Sequence, residues 1–576
     1  MKRLILIFLL LTAPAWGWTY YVSNSGNDSR NTTQAQSPST PWLTLGHSCG
    51  QLAAGDTLYI MGGTWTEANA SGVACQSSSC NGNIMQPPSG SSGNPIVFKA
   101  YGTRPLLTSS PYYANYGIEI ENRSHLVFDS LIIRGTMRGI SIFDDSHYIT
   151  IKNCVVDSTG GVVNNENNAG VMTLGLGQWK DSIIVEACTL SNNWEHMGVD
   201  HDGGGYSVNC AGVEFYWVKS GVVSNNVIFG GSSYSHAGIF LKVNSDSINV
   251  FNNRIYNQAG HGISIYHANS NVNVYGNIIY NCADGIAVQG AMAIYTGKPN
   301  LRSRIYNNTV YNCGGSGLTI QANGDECAAF PDSTQFWNNI ISNCGTGMRR
   351  VYIDPSGGCS SPVLSTADSS TYNCYYGYTN MANWDGTNYT LTSFHAHGIT
   401  EAGVTHYLEG NSVNTNPVFL STTPSNAYFL RLDTLNSPSS VLHSGRGGAW
   451  PTYMGAYDPY GNWTPEIDSI PPEILDGPNS DPNQTGAAIS IISDEPATVR
   501  IPYGLTTAYG DTASSVVAST GINVNISGLS ANTTYHFKVI ICDVSNNCYT
   551  SGDFTFVTDA VSGGVARNYL PIKRQP

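Results

Sequence analysis

The chain has 576 residues, of which 11% are charged, and its formal net charge is −14 at pH 7. An acidic chain repels the phosphates of nucleic acids, so we exclude nucleic acid as a partner. The low charged fraction and the 62 glycines indicate a surface of uncharged polar side chains, which suits stacked strands joined by tight turns.

The amino terminus predicts export. Residues 1–17 begin with two basic side chains, continue with an apolar run and end in the small-x-small sequence Ala15-Trp16-Gly17. This is the pattern of a secretory signal peptide. A membrane span needs about 20 apolar residues, and no later segment approaches that length. We therefore expect a secreted monomer without a membrane span, located outside the cell, at the cell surface or in the periplasm.

Across the middle of the chain, an asparagine followed by two strand-forming residues recurs at intervals of 27, 24, 31 and 31 residues. Two further markers keep this register: an Asn-Cys pair four residues later, and a glycine followed by alternating apolar residues, as in Gly238-Ile239-Phe240-Leu241. Three short strand-like segments per repeat and no helical period indicate the coils of a solenoid. The asparagines that open the repeats are Asn226, Asn253, Asn277, Asn308 and Asn339.

Stacking of the coils has consequences for single residues. Coils about 4.8 Å apart align equivalent side chains into ladders, and asparagine suits the tight turns because it tolerates left-handed backbone. The stacking also predicts that Cys282, Cys313 and Cys344 form a buried series of thiols rather than a disulfide or a metal site.

Short motifs mark both ends of the repeat region. They are Tyr20-Tyr21-Val22, Gly26-x-Asp28, Pro41-Trp42, Gly55-Asp56-Thr57 and Gly62-Gly63-Thr64 at the start, and Asn416-Pro417-Val418-Phe419 and Gly455-Ala456-Tyr457 at the end. Together they resemble the amino-terminal cap and the closing coil of secreted pectate-lyase-like β-helix proteins. The resemblance implies an all-β right-handed parallel β-helix, with the cap and first coils in residues 18–110 and the remaining coils in residues 111–460.

A second domain is predicted after a linker at residues 461–470. Residues 471–558 contain short strand-like runs with closely spaced turns, which indicates a small antiparallel β-sandwich. The segment around Tyr535 resembles the tyrosine corner of fibronectin type III domains, although Ile491 stands where that family has tryptophan. Cys542 and Cys548 are close enough to form a local disulfide in an exported protein. Residues 559–576 are a tail without a recognisable signal.

The glycine-led strands predict where a ligand lies. Since Ile239, Leu241 and Val243 alternate toward the inside, Phe240 and Lys242 point outward. The same register in the neighbouring coils predicts two outward columns. One column is Glu119, Ser141, Met172, Glu214, Phe240, Ser264, Ala287 and Thr319, and the other is Glu121, Phe143, Leu174, Tyr216, Lys242, Tyr266, Gln289 and Gln321.

These columns bring a carboxylate, a lysine and two phenols onto adjacent coils, and His236 and His261 precede strands of the same face. We predict that Lys242, Glu214 and His261 are catalytic. Exposed aromatic rings in a groove commonly stack on sugars, so the predicted substrate contacts are Tyr216, Tyr266, His236 and Gln289.

This set of residues suggests a polysaccharide lyase. Such an enzyme neutralises the carboxylate of a uronate, which acidifies the C5 proton, and removes that proton with a base before the glycosidic oxygen leaves. Lys242 is the predicted base if burial or nearby positive charge lowers its pKa. The insertion between Asn192 and Cys210 contains Asp200 and Asp202, whose oxygens are suitable calcium ligands. We therefore expect an extracellular polysaccharide as substrate and calcium as a cofactor.

Two alternatives are also compatible with the sequence. The first is a glycan-binding or adhesion protein without catalysis, in which the solenoid only binds the polysaccharide. The second is a glycoside hydrolase, which requires paired carboxylates. For this second alternative, the candidate pair is Glu214 with an acidic residue of the insertion.

Overall fold

The computed structural model divides the chain into two compact units, Met1–Pro424 with Tyr428–Pro465, and Ser425–Ala427 with Glu466–Pro576. The residues that the structure describes are 17–66, 82–109, 116–160, 168–175, 177–193, 210–231, 235–290, 300–323, 331–353, 369–384, 386–397, 399–401, 404–406, 408–426, 428–446, 453–457, 471–472, 474–515, 519–543 and 548–560.

The first unit is a parallel solenoid with three strands in each regular coil. Within the described residues, 21 strands form two faces of the solenoid as one hydrogen-bonded sheet, and 12 strands form the third face. Pairing runs from coil to coil, so that Val223 pairs with Val250, which pairs with Val274. The predicted architecture of stacked coils is therefore confirmed.

The strands of the 21-stranded sheet are Thr19–Val22, Thr57–Trp65, Ile96–Leu107, Ser124–Asp129, Ile132–Arg134, His147–Lys152, Val155–Asp157, Ile183–Glu186, Thr189–Ser191, Val222–Ser224, Val227–Phe229, Asn249–Phe251, Arg254–Tyr256, Asn273–Tyr275, Ile278–Tyr280, Arg304–Tyr306, Thr309–Tyr311, Gln335–Trp337, Ile340–Ser342, Ser369–Thr371 and Cys374–Tyr376.

The strands of the 12-stranded sheet, called the glycine-led sheet below, are Gly82–Met85, Tyr116–Glu121, Ile140–Phe143, Asn168–Leu174, Cys210–Tyr216, Ser235–Val243, His261–His267, Asp284–Gln289, Ser316–Asn323, Thr346–Ile353, Asn380–Trp384 and Thr387–Tyr389. Two short pairs join Lys180–Asp181 to Val218–Lys219 and Ile399–Glu401 to Val404–His406. The helices are Thr32–Ala35, Leu45–Cys49, Leu391–His397 and Ser439–Leu442. Among the described residues, no helix has the length and apolar character needed to cross a membrane.

The glycine that opens each strand of the third face is required by close packing. A Cβ atom added to Gly238 would lie 2.5 Å from a methyl carbon of Ile255 and 2.9 Å from the carbonyl oxygen of Gly262 in the next coil. Neither neighbour can withdraw, because Ile255 is in the core and Gly262 belongs to the backbone ladder. The recurrent glycine is therefore required because a core side chain lies close to the backbone at the start of these strands.

The recurrent asparagines form a buried ladder along the solenoid. The Nδ2 of Asn277 donates to the Oδ1 of Asn308 at 2.9 Å, and the same oxygen accepts the backbone N–H of Asn277 at 3.1 Å. Equivalent bonds join all neighbouring members of the series Asn226, Asn253, Asn277, Asn308, Asn339 and Asn373. These six side chains are buried. Each amide therefore forms hydrogen bonds with the backbone of the adjacent coil that water would otherwise form.

The second asparagine marker has the conformation that the sequence predicts. Asn281, Asn312 and Asn343 adopt left-handed backbone with φ of 54°, 53° and 56°. The cysteines that follow them are buried thiols, as predicted. The opening asparagines act differently, because the residue before each of them takes the left-handed conformation and the asparagine itself forms the ladder.

The solenoid is closed at its carboxyl end by a buried carboxylate. Glu409 accepts hydrogen bonds from the phenol of Tyr375 at 2.8 Å and from the hydroxyls of Ser370 and Ser412. The amide of Asn373, the last member of the ladder, also donates to Glu409 at 3.3 Å. The last amide of the ladder thus donates to a carboxylate of the protein rather than to water.

The second unit is a small antiparallel sandwich. Its strands are Ile474–Pro482, Gly486–Gly504, Asp511–Ser514, Ser519–Ser527, Thr534–Phe537, Ile540–Asp543, Cys548–Thr550 and Phe554–Val557. Ile491 lies in its buried core, in the position predicted to replace a tryptophan. The phenol oxygen of Tyr535 accepts the backbone N–H of Ser530 at 3.0 Å, which is the contact of a tyrosine corner. Cys542 and Cys548 form the predicted disulfide.

Candidate active site

The first predicted column of the glycine-led sheet has the predicted register. Glu119 pairs with Ser141, Ser141 with Met172, and Met172 with Glu214. The series continues through Phe240, Ser264, Ala287 and Thr319. The strand pairing that was inferred from the glycine markers is therefore confirmed in eight successive coils.

The same column is not exposed, although an open groove was expected. All eight side chains are buried. Met172 and Phe240 pack with Ala169, Ala211 and Ala237 into an apolar cluster separate from the solenoid core. The outward face thus has a small hydrophobic layer of its own, because apolar side chains outside the core lower their free energy by packing together.

The second predicted column is interrupted at Tyr216. A register shift after Phe215 places Tyr216 opposite Val243 instead of Lys242. Thr173 stabilises this bulge, since its hydroxyl donates to the carbonyl oxygen of Tyr216 at 2.9 Å and accepts the N–H of Tyr216 at 2.7 Å. Bulges commonly redirect a side chain beside a functional site. Here the bulge brings the ring of Tyr216 under the amine of Lys242.

Three of the predicted site residues form a compact group, called the Lys242 group below. The Nζ of Lys242 lies 3.9 Å from the Oε1 of Glu214 and 4.8 Å from the centre of the Tyr216 ring. The ring of Phe240 completes the group at 5.8 Å from the same Nζ. Glu214 is 0% exposed, whereas Lys242 and Tyr216 are each 5% exposed. A carboxylate and an amine therefore face each other in an environment with almost no water.

Burial shifts the pKa values of both charged groups toward the neutral forms. Loss of solvent raises the pKa of Glu214, and the amine of Lys242 partly opposes this shift. Loss of solvent lowers the pKa of Lys242, and the carboxylate of Glu214 opposes that shift. The charge of Lys242 thus depends on a balance between dehydration and one nearby carboxylate.

Two other predicted residues form a second group on the next coils. The Nε2 of His261 lies 3.3 Å from the Nε2 of Gln289, and that amide also donates to the hydroxyl of Ser264 at 3.3 Å. Because an amide nitrogen can only donate, the Nε2 of His261 accepts and its proton is on Nδ1. The Nδ1 lies 3.7 Å from the Oδ2 of Asp284. Burial lowers the pKa of His261, and Asp284 opposes the shift.

Tyr266 and His267 lie on the strand of His261, which pairs with the strand of Lys242. The ring of Tyr266 packs on Phe240 with a centroid distance of 5.5 Å. His267 is buried, and its Nδ1 donates to the carbonyl oxygen of Gly290 at 3.0 Å. Burial lowers the pKa of His267 to about 4, and the charge of Lys242 contributes in the same direction. His267 is therefore neutral in the range where most proteins function.

Asp284 and His267 were not among the predicted site residues. Asp284 precedes the marker Gly285 as His261 precedes Gly262, and the two residues are paired. This shared position was the available signal for Asp284. His267 pairs with the buried Val243, and a histidine at an apolar position is not distinguishable from a core residue by spacing alone.

Some predicted site residues lie outside the described structure. Asp200 and Asp202 are not among the described residues, and for His236 the structure describes the backbone of its strand but not the side chain. Within the described ranges, no group of three or more His, Cys, Asp or Glu residues has an arrangement that could hold a metal ion.

The described carboxylates of this face are far from Glu214. Glu119 and Asp284 each belong to a coil three steps away from that of Glu214, in opposite directions. Three steps correspond to about 14 Å along the solenoid. The paired carboxylates of glycoside hydrolases are about 5 to 9.5 Å apart, so neither residue is a suitable partner for Glu214.

Comparison with known proteins addresses the fold. The family described as "Right handed beta helix region" matches residues 109–298, which agrees with the right-handed parallel β-helix that the resemblance of the end motifs implied. The search of curated proteins finds no match. The chain is thus a right-handed β-helix protein with a carboxyl-terminal sandwich.

Several solved structures are similar to this chain at low identity. The pectate lyase Pel9A is 13% identical, with a TM-score of 0.41, and the similarity covers 77% of this chain and 96% of that one. A rhamnogalacturonan lyase is 13% identical, with a TM-score of 0.41 and coverage of 73% and 97%. An alginate lyase from Paenibacillus sp. str. FPU-7 is 16% identical, with a TM-score of 0.35 and coverage of 56% and 95%. The function is therefore argued from the residues of the site.

Proposed function

We propose that this protein is a secreted enzyme that cleaves a uronate-containing extracellular polysaccharide by β-elimination, with Lys242 as the base. The observation that supports this proposal is the Lys242 group, in which a lysine 3.9 Å from a carboxylate is almost fully dehydrated. Burial lowers the pKa of Lys242, and a lysine can act as a base only in its neutral form.

In the proposed reaction, the amine of Lys242 takes the C5 proton of the uronate. The electron pair of that C–H bond forms the C4–C5 double bond, and the glycosidic oxygen leaves C4 with the electrons of the broken bond and takes a proton from water. Of the charged pair, Lys242 retains a small exposed surface and Glu214 has none. We therefore assign direct contact with the substrate to Lys242, and Glu214 is a positioning residue that controls the charge of the amine.

The second group contributes to binding in this proposal. The Nε2 of His261 already accepts a hydrogen bond from Gln289, so it is less suited than Lys242 to take a proton. His261 and Gln289 are proposed to hold sugar hydroxyls, together with Tyr216 and Tyr266. If Asp200 and Asp202 bind calcium, as proposed from the sequence, the ion would supply the positive charge that neutralises a uronate carboxylate.

A direct test measures unsaturated product by the ultraviolet absorbance of the conjugated double bond, on a panel of uronic-acid polymers with calcium or with a chelator. We expect product from the wild-type chain with at least one polymer, loss of product on chelation, and a decrease of at least about 100-fold in Lys242→Ala. Unaltered turnover by Lys242→Ala would remove the proposed base. Binding of the polymers without any product would favour the alternative of a glycan-binding protein.

A pH profile tests the role of Glu214 separately. The carboxylate of Glu214 raises the pKa of Lys242, so Glu214→Gln should lower that pKa and leave more neutral amine at a given pH. We expect the acid limb of the kcat/KM profile to move to lower pH in Glu214→Gln. A shift to higher pH, or complete loss of activity in a folded variant, would contradict the positioning role.

A further inference from the structure

A second candidate surface lies at the corner that follows the glycine-led strands. Tyr216 and Tyr266, the rings predicted to stack on sugars, are buried or partly buried. At the corner, by contrast, Trp179 is 40% exposed and Tyr148 is 50% exposed. Aromatic rings that can stack on a sugar from solvent are therefore found here rather than beside Lys242.

The corner is held by backbone hydrogen bonds. The strands Lys180–Asp181 and Val218–Lys219 pair in parallel, with the N–H of Lys180 donating to the carbonyl oxygen of Trp217 at 2.8 Å. Trp179 and Trp217 occupy equivalent positions before these strands and contact each other edge to face, with a centroid distance of 5.3 Å. Because the planes of the two rings meet at 76°, they form one apolar edge-and-face surface against which a single pyranose ring can pack.

A fully buried lysine supports the turn that carries Trp179. The side chain of Lys180 is 0% exposed, and its Nζ donates to the carbonyl oxygen of Gln178 at 3.1 Å. Asp144 and Asp145 lie close enough to raise the pKa of Lys180, against a larger lowering by burial that brings it to about 8. Lys180 thus links the turn before Trp179 to the acidic turn of the preceding coil.

Polar groups beside the rings are fixed in position. The Nδ1 of His147 accepts the backbone N–H of Asp181 at 2.9 Å, so its proton is on Nε2 and is donated to the Oδ1 of Asp145 at 2.9 Å. The ring of His125 stacks on one face of Tyr148 at 4.5 Å and 3°. The equivalent residue in the next coil is Ser182, since Ile183 pairs with Ile149, so that position carries a small side chain and no ring. The carboxylate of Asp145 is exposed, and that of Asp181 is partly exposed.

From these features we propose that the corner formed by Tyr148, Trp179 and Trp217 binds a neutral polysaccharide chain. The rings supply apolar faces for pyranose stacking, and Asp145 and Asp181 accept hydrogen bonds from sugar hydroxyls. Around the rings, the carboxylates of Asp144, Asp145 and Asp181 outnumber the amines of Lys180 and Lys219. The surface is therefore acidic and repels a polyuronate, so its charge favours an uncharged chain. This inference does not depend on β-elimination, because it concerns binding at residues outside the Lys242 and His261 groups.

The test is a binding titration of the full chain with soluble neutral polysaccharides, namely a β-glucan, a xylan and a galactomannan, and with polygalacturonate as the charged comparison. We expect binding to at least one neutral polymer, and a decrease in affinity of about tenfold in Trp179→Ala. Trp179→Phe should restore most of the affinity because it retains a stacking ring. Trp18→Ala is the matched control, since Trp18 is also exposed but lies in the cap.

A second variant keeps the proposal testable if Trp179→Ala does not fold. Tyr148 has a φ of 56°, and asparagine tolerates this left-handed conformation, so Tyr148→Asn removes the ring without backbone strain. Absence of binding to all neutral polymers, equal affinity in Trp179→Ala and Tyr148→Asn, or tighter binding of polygalacturonate at these residues would overturn the proposal. Product formation from uronic-acid polymers is measured separately, so failure of the corner and failure of the proposed lyase activity are distinguishable.

Discussion

Replacement of Asn308 by leucine should lower the free energy of unfolding by about 4 kcal/mol. The amide of Asn308 donates to the carbonyl oxygen of Val274 at 2.9 Å and to the Oδ1 of Asn339 at 3.0 Å. Its oxygen accepts the backbone and side-chain N–H groups of Asn277. Leucine satisfies none of these partners, which remain buried between coils, and each unsatisfied buried group costs about 1 to 3 kcal/mol.

The measurement is chemical denaturation of Asn308→Leu and of the wild-type chain, monitored by a spectroscopic signal that reports on unfolding of the solenoid. The matched control is Asn312→Gly, in which glycine retains the left-handed φ of 53° and only one exposed hydrogen bond, from Asn312 to Asn281, is lost. We expect this control to remain within about 0.5 kcal/mol of the wild type. A loss below about 1 kcal/mol in Asn308→Leu would show that the ladder does not stabilise the stack as described.

The second large effect is expected when the cation of the Lys242 group is removed. Lys242→Met leaves the fully buried Glu214 without the amine that lies 3.9 Å away. Breaking a buried pair in this way costs about 3 to 5 kcal/mol, whereas replacing both partners by apolar or neutral groups is often close to neutral. We therefore expect Lys242→Met to be strongly destabilised at about pH 8, and the double variant Glu214→Gln/Lys242→Met to recover most of the loss.

The pH dependence of this loss has a defined sign. Burial raises the pKa of Glu214 above its usual value of 4.5, and removal of Lys242 raises it further. A carboxyl group with a raised folded-state pKa contributes its stability at low pH and loses it as pH rises through that pKa. The destabilisation of Lys242→Met should therefore be small below about pH 4.5 and grow by about 1.4 kcal/mol per pH unit above it, until the pH reaches the folded-state pKa.

A pair in the same solenoid whose lysine is exposed and whose carboxylate is buried is the control for this experiment. Lys99 lies 3.1 Å from Asp129, but 43% of the lysine side chain is exposed, so water screens the interaction. Lys99→Met should cost less than about 1 kcal/mol. Equal losses in Lys99→Met and Lys242→Met, or no recovery in the double variant, would mean that the Lys242 group is not a mutually dependent buried pair.

Much of the fold was readable from the sequence because the solenoid repeats its contacts. Each opening asparagine, such as Asn308, bonds to the asparagine at the same position of the next coil. The requirement for this hydrogen bond therefore recurs once in each coil. The glycine markers carry the same information for strand pairing, since a residue larger than Gly238 would collide with Ile255. Register along the first outward column followed from these local constraints.

The site was less predictable because it depends on interactions that do not repeat. The bulge after Phe215 arises from one threonine, Thr173, that bonds to the backbone of Tyr216, and no marker in the sequence announces it. The apolar layer around Phe240 covers the column that alternation alone places outside. Alternation gives the direction of a side chain, but its exposure depends on what packs above it.

The sequence by itself thus determined the parallel solenoid, its strand register, the thiol series and the small sandwich, because each of these results from residues that recur or from neighbours close along the chain. Only the tertiary structure decided that Glu214 is buried beside Lys242, that His261 faces Asp284, and that the exposed aromatic rings lie at the corner near Trp179. These features depend on side chains from different coils meeting in space. Their pKa values and exposure follow from local packing, which the repeat does not encode.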